Sequence, residues 1–171
     1  MIEMHVMGIA LDTRTGSPIV VLHDTENRKA LPIWIGSAEA SAIIRKIEKI
    51  KVQRPMTHDL IINITNELGC EIDRIEISDV EEETYYANII LVDNDGNEKC
   101  IDARPSDAIA VAIRVDAPIF VTANVLANGS VSCDQQKDEE EAQEFRSFIQ
   151  TIKPSDFDKL MKERKDTDFD L

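Results

Sequence analysis

The side chains best suited to chemistry lie in three short stretches of the sequence. They are Glu39 in the first stretch, Arg54, His58 and Asp59 in the second, and Asp102, Arg104, Asp107 and Arg114 in the third. Histidine can act as a general acid or base, carboxylates can hold Mg²⁺ or Mn²⁺ through oxygen ligands, and arginine binds phosphate oxygens. These groups suit acid–base chemistry beside a phosphate, although no catalytic signature with fixed spacing is present.

The same residues also have ordinary structural interpretations. Asp107 lies where a first-turn carboxylate completes the start of a helix, and Arg104 can simply pair with Asp59 or Glu39. His58 follows a threonine in a normal helix opening. Both interpretations stay open at the level of sequence.

The third stretch joins a predicted strand to a predicted helix. Pro105 has a fixed φ and no N–H to satisfy, Ser106 is a good N-cap, and Asp107 complements the helix dipole. Apolar residues then recur at three- and four-residue spacing, namely Ala108, Ile109, Ala112 and Ile113. The pattern predicts an amphipathic helix that packs on a core.

Two further helices and seven strands are predicted. The first helix covers 38–49, and the second begins at Thr57 and ends at Gly69 with an expected core face of Leu60, Ile61, Ile64 and Leu68. Strand patterns occur at about 4–11, 18–22, 30–35, 72–80, 85–93, 99–103 and 117–121. Pro32 suggests that its strand lies at an edge or contains a bulge.

An internal repeat links these elements. With an offset of 69 residues the two halves superpose without a gap, and a ββ(β)α unit is predicted to occur twice, over about 4–50 and 73–121. Arg45 falls on Arg114, which favours a structural salt bridge, whereas Arg104 has no charged counterpart.

Composition and charge restrict the possible functions. The chain has 171 residues, 43% of them hydrophobic, and a formal net charge of -14, so any contact with nucleic acid must be local and basic. No apolar run approaches the ~20 residues of a membrane span, and no basic signal-peptide region is present, so we expect a cytoplasmic protein. Three scattered cysteines form no Cys-x-x-Cys pair.

The composition changes after Val121, and we place a domain boundary near residue 129. Residues 1–129 form the predicted α+β domain, and residues 130–171 form an acidic linker and a helical tail. Phe145, Phe148, Ile149 and Ile152 have helical spacing in that tail. The tail is therefore amphipathic enough to dock on the domain or on a protein partner.

Three motifs together resemble one protein family. They are Leu-Pro-Ile-Trp-Ile-Gly at 31–36 followed by Glu39-Ala40, Arg-Pro-Met-Thr-His-Asp-Leu at 54–60, and Asp-Ala-Arg-Pro-Ser-Asp-Ala-Ile at 102–109 with Pro-Ile-Phe-Val at 118–121. The chain resembles the bifunctional nuclease (BFN) domain family, long catalogued as a domain of unknown function, over about residues 4–126. The resemblance implies an α+β fold with a duplicated β-α-β-type unit, a mixed or antiparallel sheet packed with helices, and a homodimer. It also implies the DNase and RNase activity claimed for plant members.

The resemblance makes the three stretches a candidate nuclease site. The catalytic candidates are His58, Asp59, Asp107 and Glu39; the phosphate- or substrate-binding candidates are Arg54, Arg104 and Arg114; and the candidate ligands of Mg²⁺ or Mn²⁺ are Asp107 and Asp102. The alternative is a non-catalytic dimeric module that binds a small ligand or a protein partner through the same cleft. A nuclease is expected to gather a basic patch on one surface from Lys49, Lys51, Arg54, Arg104 and Arg114.

Overall fold

The structure is a computed structural model and describes residues 1–132. Within these residues one sheet contains β1 (Ile2–Leu11), β2 (Pro18–Asp24), β3 (Lys29–Trp34), β4 (Cys70–Glu81), β5 (Thr84–Asp93), β6 (Glu98–Ala103), β7 (Ile119–Val121) and β8 (Val131–Ser132). The helices are α1 (Ser37–Ile47), α2 (Thr57–Glu67), α3 (Pro105–Val115) and α4 (Ala123–Gly129). Each of the seven strands predicted from the sequence is present.

The strands follow the order β6-β5-β4-β7-β1-β2-β3-β8 across the sheet. β1-β2-β3 and β4-β5-β6 are antiparallel meanders, and β7 lies between them, parallel to β4 and antiparallel to β1. The predicted α+β class with a mixed sheet is confirmed. β8 covers β3 only at Lys29 and Ala30, so Pro32 lies on an edge, as expected for a residue without an N–H.

The order β-β-β-α occurs twice, as β1-β2-β3-α1 and β4-β5-β6-α3. One turn agrees closely between the two halves. Asp24 and Asp93 each accept the backbone N–H of the residue four positions later, and Asn27 and Gly96 both have positive φ. A carboxylate that accepts nearby backbone N–H groups stabilises a turn. That the two halves arose by duplication stays a prediction.

The core is formed by both halves together. α1 packs over β1 and β2, α3 packs over β4 and β5, and the two helices contact each other. The largest fully buried side chains are Met4, Leu22, Leu31, Ile43, Ile75, Ile77, Ile109, Val20, Val111, Val121 and Val125. Residues 108–112 of α3 are all buried, so the helix predicted as amphipathic is a core helix.

The predicted core face of α2 is wrong. The helix contacts α3 and β4 with a side whose buried residues are His58 and Thr65. The side chains expected in the core are exposed, namely Leu60, Ile61, Ile64 and Leu68. Periodicity identifies an apolar helix face, but it does not say whether the domain itself covers that face.

The predicted N-cap of α3 is also wrong. α3 begins at Pro105 with Arg104 as its N-cap, so Ser106 lies inside the helix. Proline favours the first helical position and holds the preceding residue in extended backbone, which moves the cap to Arg104. α2 begins at Thr57 with Met56 as its N-cap.

α4 and β8 follow the last predicted strand. Thr122 caps α4, since its hydroxyl accepts the backbone N–H of Val125, and β8 pairs with β3. The boundary near residue 129 stays a prediction, and residues 133–171, which include most of the predicted acidic linker and helical tail, lie outside the described part of the chain. Among residues 1–132, no helix is long and apolar enough to cross a membrane.

Candidate functional site

Three helix starts bring most of the candidate residues together. Glu39 lies in the first turn of α1, His58 and Asp59 lie in the first turn of α2, and Asp107 lies in the first turn of α3. α3 contacts both α1 and α2. Side chains that are 49 and 65 positions apart in sequence therefore meet beside the start of α3.

Arg104 joins two carboxylates at the surface. Its Nε donates to Asp107 Oδ2 over 2.7 Å, and its Nη2 donates to Glu39 Oε1 over 2.8 Å. Pairing with Glu39 was one of the two structural alternatives for Arg104. The arginine side chain is 66% exposed, whereas those of Glu39 and Asp107 are 17% and 28% exposed. The cluster thus presents a guanidinium to solvent and keeps both carboxylates more enclosed.

His58 supports this pair from the interior. It is 7% exposed, and its Nε2 lies 3.0 Å from Asp107 Oδ1. Because an ionised carboxylate only accepts hydrogen bonds, Nε2 is assigned as the donor. Nδ1 is buried without a hydrogen-bond partner among residues 1–132. His58 therefore holds Asp107 but does not face solvent.

The charges in the cluster stabilise one another. Burial raises the pKa of Asp107, but hydrogen bonds from Arg104 and His58 outweigh burial and leave that pKa below its ordinary value. The pKa of Arg104 is raised by its hydrogen bonds to Asp107 and then to Glu39. Asp107 is consequently ionised and a weak proton acceptor at neutral pH.

Arg114 forms a second connection between the three helices. Its side chain is 8% exposed, and its Nε donates to Asp59 Oδ1 over 2.8 Å. Nη1 donates to the Ala110 carbonyl and Nη2 to the Ala42 carbonyl, over 2.6 Å and 3.1 Å. Asp59 also accepts the Met56 N–H over 2.9 Å. The structural salt bridge predicted for Arg114 is confirmed, whereas its counterpart Arg45 forms no ion pair within residues 1–132. The buried Arg114 is not free to bind phosphate.

Arg54 and Asp102 remain outside the cluster. Both are exposed, and neither side chain forms a hydrogen bond or ion pair within residues 1–132. The two oxygens of Asp107 are engaged by His58 and Arg104. In the described chain, no group of three or more His, Cys, Asp or Glu side chains could hold a metal ion. The arrangement therefore does not fit the predicted Mg²⁺ or Mn²⁺ site at Asp107 and Asp102.

A basic segment, residues 45–54, runs from the last turn of α1 to the loop before α2. It contains one acid, Glu48, and five cations, namely Arg45, Lys46, Lys49, Lys51 and Arg54. None of the five forms an ion pair within residues 1–132. The segment contains three of the five residues expected in a basic patch, whereas Arg114 is buried and Arg104 faces two carboxylates.

Gly36, the last residue of the motif at 31–36, contributes to the site although it was not among the candidate site residues. A Cβ at this position would collide with the carboxylate of Glu39. Gly36 is the N-cap of α1, and its φ of -73° is one that any residue can adopt. Glycine is favoured here because a side chain would occupy the space of the Glu39 carboxylate, and not because of its backbone conformation. Gly36 precedes Glu39 by three residues at the start of a predicted helix, and this spacing could have indicated that it contacts the Glu39 side chain.

Comparison with known proteins gives one family. The chain matches the bifunctional nuclease domain over residues 20–134. It is 36% identical over 163 residues to an uncharacterized protein of Mycobacterium tuberculosis, covering 91% of this chain and 97% of that protein. It is 23% identical to bifunctional nuclease 1 of Oryza sativa subsp. indica over 72% of this chain, and 25% identical to bifunctional nuclease 2 of Arabidopsis thaliana over 61% of it. These matches span 38% and 32% of the plant proteins.

Proposed function

The chain belongs to the bifunctional nuclease domain family, and on that premise we propose that it hydrolyses phosphodiester bonds in DNA or RNA. The observation that carries this proposal is the exposed guanidinium of Arg104, held between Glu39 and Asp107. A cation fixed in advance stabilises charge on a phosphate without having to be ordered during the reaction.

Arg104 binds the phosphate in this proposal. Its Nε and Nη2 are engaged, while its Nη1 makes no hydrogen bond within the described chain and is available to a non-bridging oxygen. The basic segment supports the same role because its cations form no ion pair within residues 1–132 and precede α2 in the chain. A local cluster of cations can attract a polyanion even though the net negative charge of the chain repels it.

Glu39 takes the proton of the attacking water as the water oxygen bonds to phosphorus, and the leaving sugar oxygen takes a proton from solvent as its own bond to phosphorus breaks. The Oε1 of Glu39 accepts from Arg104, while its Oε2 accepts no hydrogen bond within residues 1–132. A carboxylate beside a bound phosphate can orient a water molecule and act as general base. Asp107 and His58 act as positioning residues, since they hold Arg104 in place and His58 is buried. The proposed steps use side chains alone, because Asp102 lies outside the cluster and no group of three or more metal-ligating side chains occurs within residues 1–132.

A paired substitution tests this proposal. Arg104→Gln removes the phosphate-binding charge, whereas Arg14→Gln removes an arginine that is 87% exposed in another turn. We expect Arg104→Gln to cleave labelled DNA and RNA oligonucleotides at least ~100-fold more slowly than wild type, and Arg14→Gln to cleave normally. Equal cleavage by wild type and Arg104→Gln would overturn the proposal, because the activity would then come from another site or a contaminant.

A non-catalytic module is the second candidate function. It is favoured by the pairing of Asp107, whose two oxygens are both engaged, and by the burial of His58, as in a network that orders the fold. Such a module would bind a small anion or a protein partner through Arg104. Purified wild-type protein that binds inorganic phosphate in an Arg104-dependent manner, yet cleaves neither DNA nor RNA, would support this function.

We further propose that the protein acts as a homodimer in the cytoplasm, as predicted from the resemblance and the composition. The exposed apolar face of α2 supports the homodimer. A protein partner for the C-terminal tail stays a prediction, because that segment lies outside the described residues.

A further inference from the structure

α2 presents its apolar side to solvent. Leu60, Ile64 and Leu68 are 51%, 50% and 75% exposed, and with Ile61 they form a stripe along one face of the helix. Soluble proteins seldom leave a contiguous apolar surface uncovered unless it is an interaction site. The stripe is therefore a candidate interaction surface.

No apolar side chain of the same helix is buried, and Ile62 is half-buried. Its buried residues, His58 and Thr65, are both polar. Within residues 1–132, the polar side-chain contacts that tie it to α3 are the His58–Asp107 hydrogen bond and the Asp59–Arg114 ion pair. Hydrogen bonds fix orientation but give a modest net stabilisation, because water competes for the same groups. The placement of α2 thus depends on what covers its apolar side.

Charges of opposite sign flank the stripe. Lys51 and Arg54 are exposed before α2, and Glu67 and Glu71 are exposed at its end and just beyond. None of these four side chains forms an ion pair within residues 1–132. Two antiparallel α2 helices would place the basic end of one beside the acidic end of the other. The surface is therefore complementary to a copy of itself, as a twofold interface requires.

We propose that the α2 stripe is the contact between two copies of this chain, paired antiparallel about a twofold axis, and that this contact holds α2 where the site needs it. The pairing is inferred from the exposed stripe and its flanking charges, and the effect on the site rests on the proposed function. Copies with a net charge of -14 repel each other, and the stripe is an uncharged surface on which they can meet. The edge strand β6 is less suited, because Glu98, Lys99 and Asp102 lie along it.

Sedimentation velocity over about 1–100 µM protein tests the pairing. We expect wild type at twice the monomer mass of 19.2 kDa. The double variant Leu60→Asn, Ile64→Asn is expected to dimerise at least ~100-fold more weakly. The matched control Ile101→Asn changes an isoleucine that is 47% exposed on β6, and it is expected to remain a dimer. A wild type that is monomeric throughout, or a double variant that dimerises as tightly as wild type, would overturn the proposal.

A charge exchange tests the antiparallel arrangement. Arg54→Glu and Glu71→Arg are each expected to weaken the dimer about tenfold, and together in one chain they are expected to restore it. Additive weakening in the combined variant would overturn the arrangement.

Cleavage by the monomeric double variant tests the link to the site. We expect its nuclease rate to fall about tenfold or more below that of wild type while its circular dichroism spectrum is unchanged. A monomeric variant that cleaves at the wild-type rate would overturn the link. A wild type that dimerises but cleaves neither DNA nor RNA would overturn the proposed function and leave the pairing intact.

Discussion

α2 and α3 are neighbouring helices of 11 residues each, and both supply side chains to one polar cluster, yet the domain holds them differently. α3 buries seven residues, including all of 108–112, whereas α2 buries only His58 and Thr65. The Arg104–Asp107 part of the site is therefore fixed by the hydrophobic core. His58 and Asp59, which α2 supplies, are held by polar contacts and, in our proposal, by the second copy of the chain that covers the apolar stripe.

The largest contrast is expected between Ile109→Ala in α3 and Ile64→Ala in α2. Ile109 is fully buried, so its truncation should lower the free energy of unfolding by about 3–5 kcal/mol. Ile64 is 50% exposed, and the same truncation should cost less than about 1 kcal/mol in the dilute monomer. Urea unfolding followed by circular dichroism measures both. Equal losses would show that α2 is as firmly packed as α3.

Arg114→Met is expected to cost about 2–3 kcal/mol of unfolding free energy, because it leaves Asp59 unpaired and two backbone carbonyls without a donor. Arg45→Met is the matched control, since Arg45 forms no ion pair within residues 1–132, and it should change stability by at most about 0.5 kcal/mol. Chemical denaturation of both variants measures the two changes in unfolding free energy. A loss at Arg114 no larger than that at Arg45 would show that α2 is held by other contacts.

Asp107→Asn should have a smaller effect that depends on pH. The pKa of Asp107 is lowered in the folded chain, so its ionised form stabilises the fold above the unfolded pKa of about 3.9, and this stabilisation is lost as the pH falls through the folded value. We expect a cost of about 1 kcal/mol at pH 7 that decreases below about pH 4. Unfolding at pH 7 and pH 3 measures it. A cost that grows on acidification would contradict the assignment, and Asp102→Asn should show no cost at either pH.

Gly36→Ala should have the smallest effect on stability, less than about 0.5 kcal/mol, because its φ suits alanine and only the end of a flexible side chain must move. The displaced group is the Glu39 carboxylate, so cleavage should nevertheless fall about tenfold. Thermal unfolding and nuclease assays on the same preparation separate the two effects. Unchanged cleavage would show that the position of Glu39 is not critical.

Periodicity predicted most of the strands and helices, because alternation of apolar residues is a local consequence of burial. Periodicity wrongly placed Leu60 in the core, because an apolar pattern shows which helix face is apolar but not whether the domain covers that face. Ser106 shows a related limit. Its preference for the N-cap was overridden by the preference of Pro105 for the first helical position.

The site was only partly predictable from the sequence. The Arg104–Glu39 ion pair was one of two alternatives, and opposite charges alone could suggest it. The His58–Asp107 hydrogen bond joins residues 49 positions apart, and it depends on how α2 packs against α3. No local pattern carries that information.

The most direct test of the central claim separates binding from cleavage at Glu39. Glu39→Gln keeps an oxygen that can accept from Arg104 but removes the carboxylate that takes a proton from water. We expect this variant to bind a labelled oligonucleotide within about twofold of wild type and to cleave it at least ~100-fold more slowly. Cleavage by Glu39→Gln at the wild-type rate would contradict the role of Glu39 as general base.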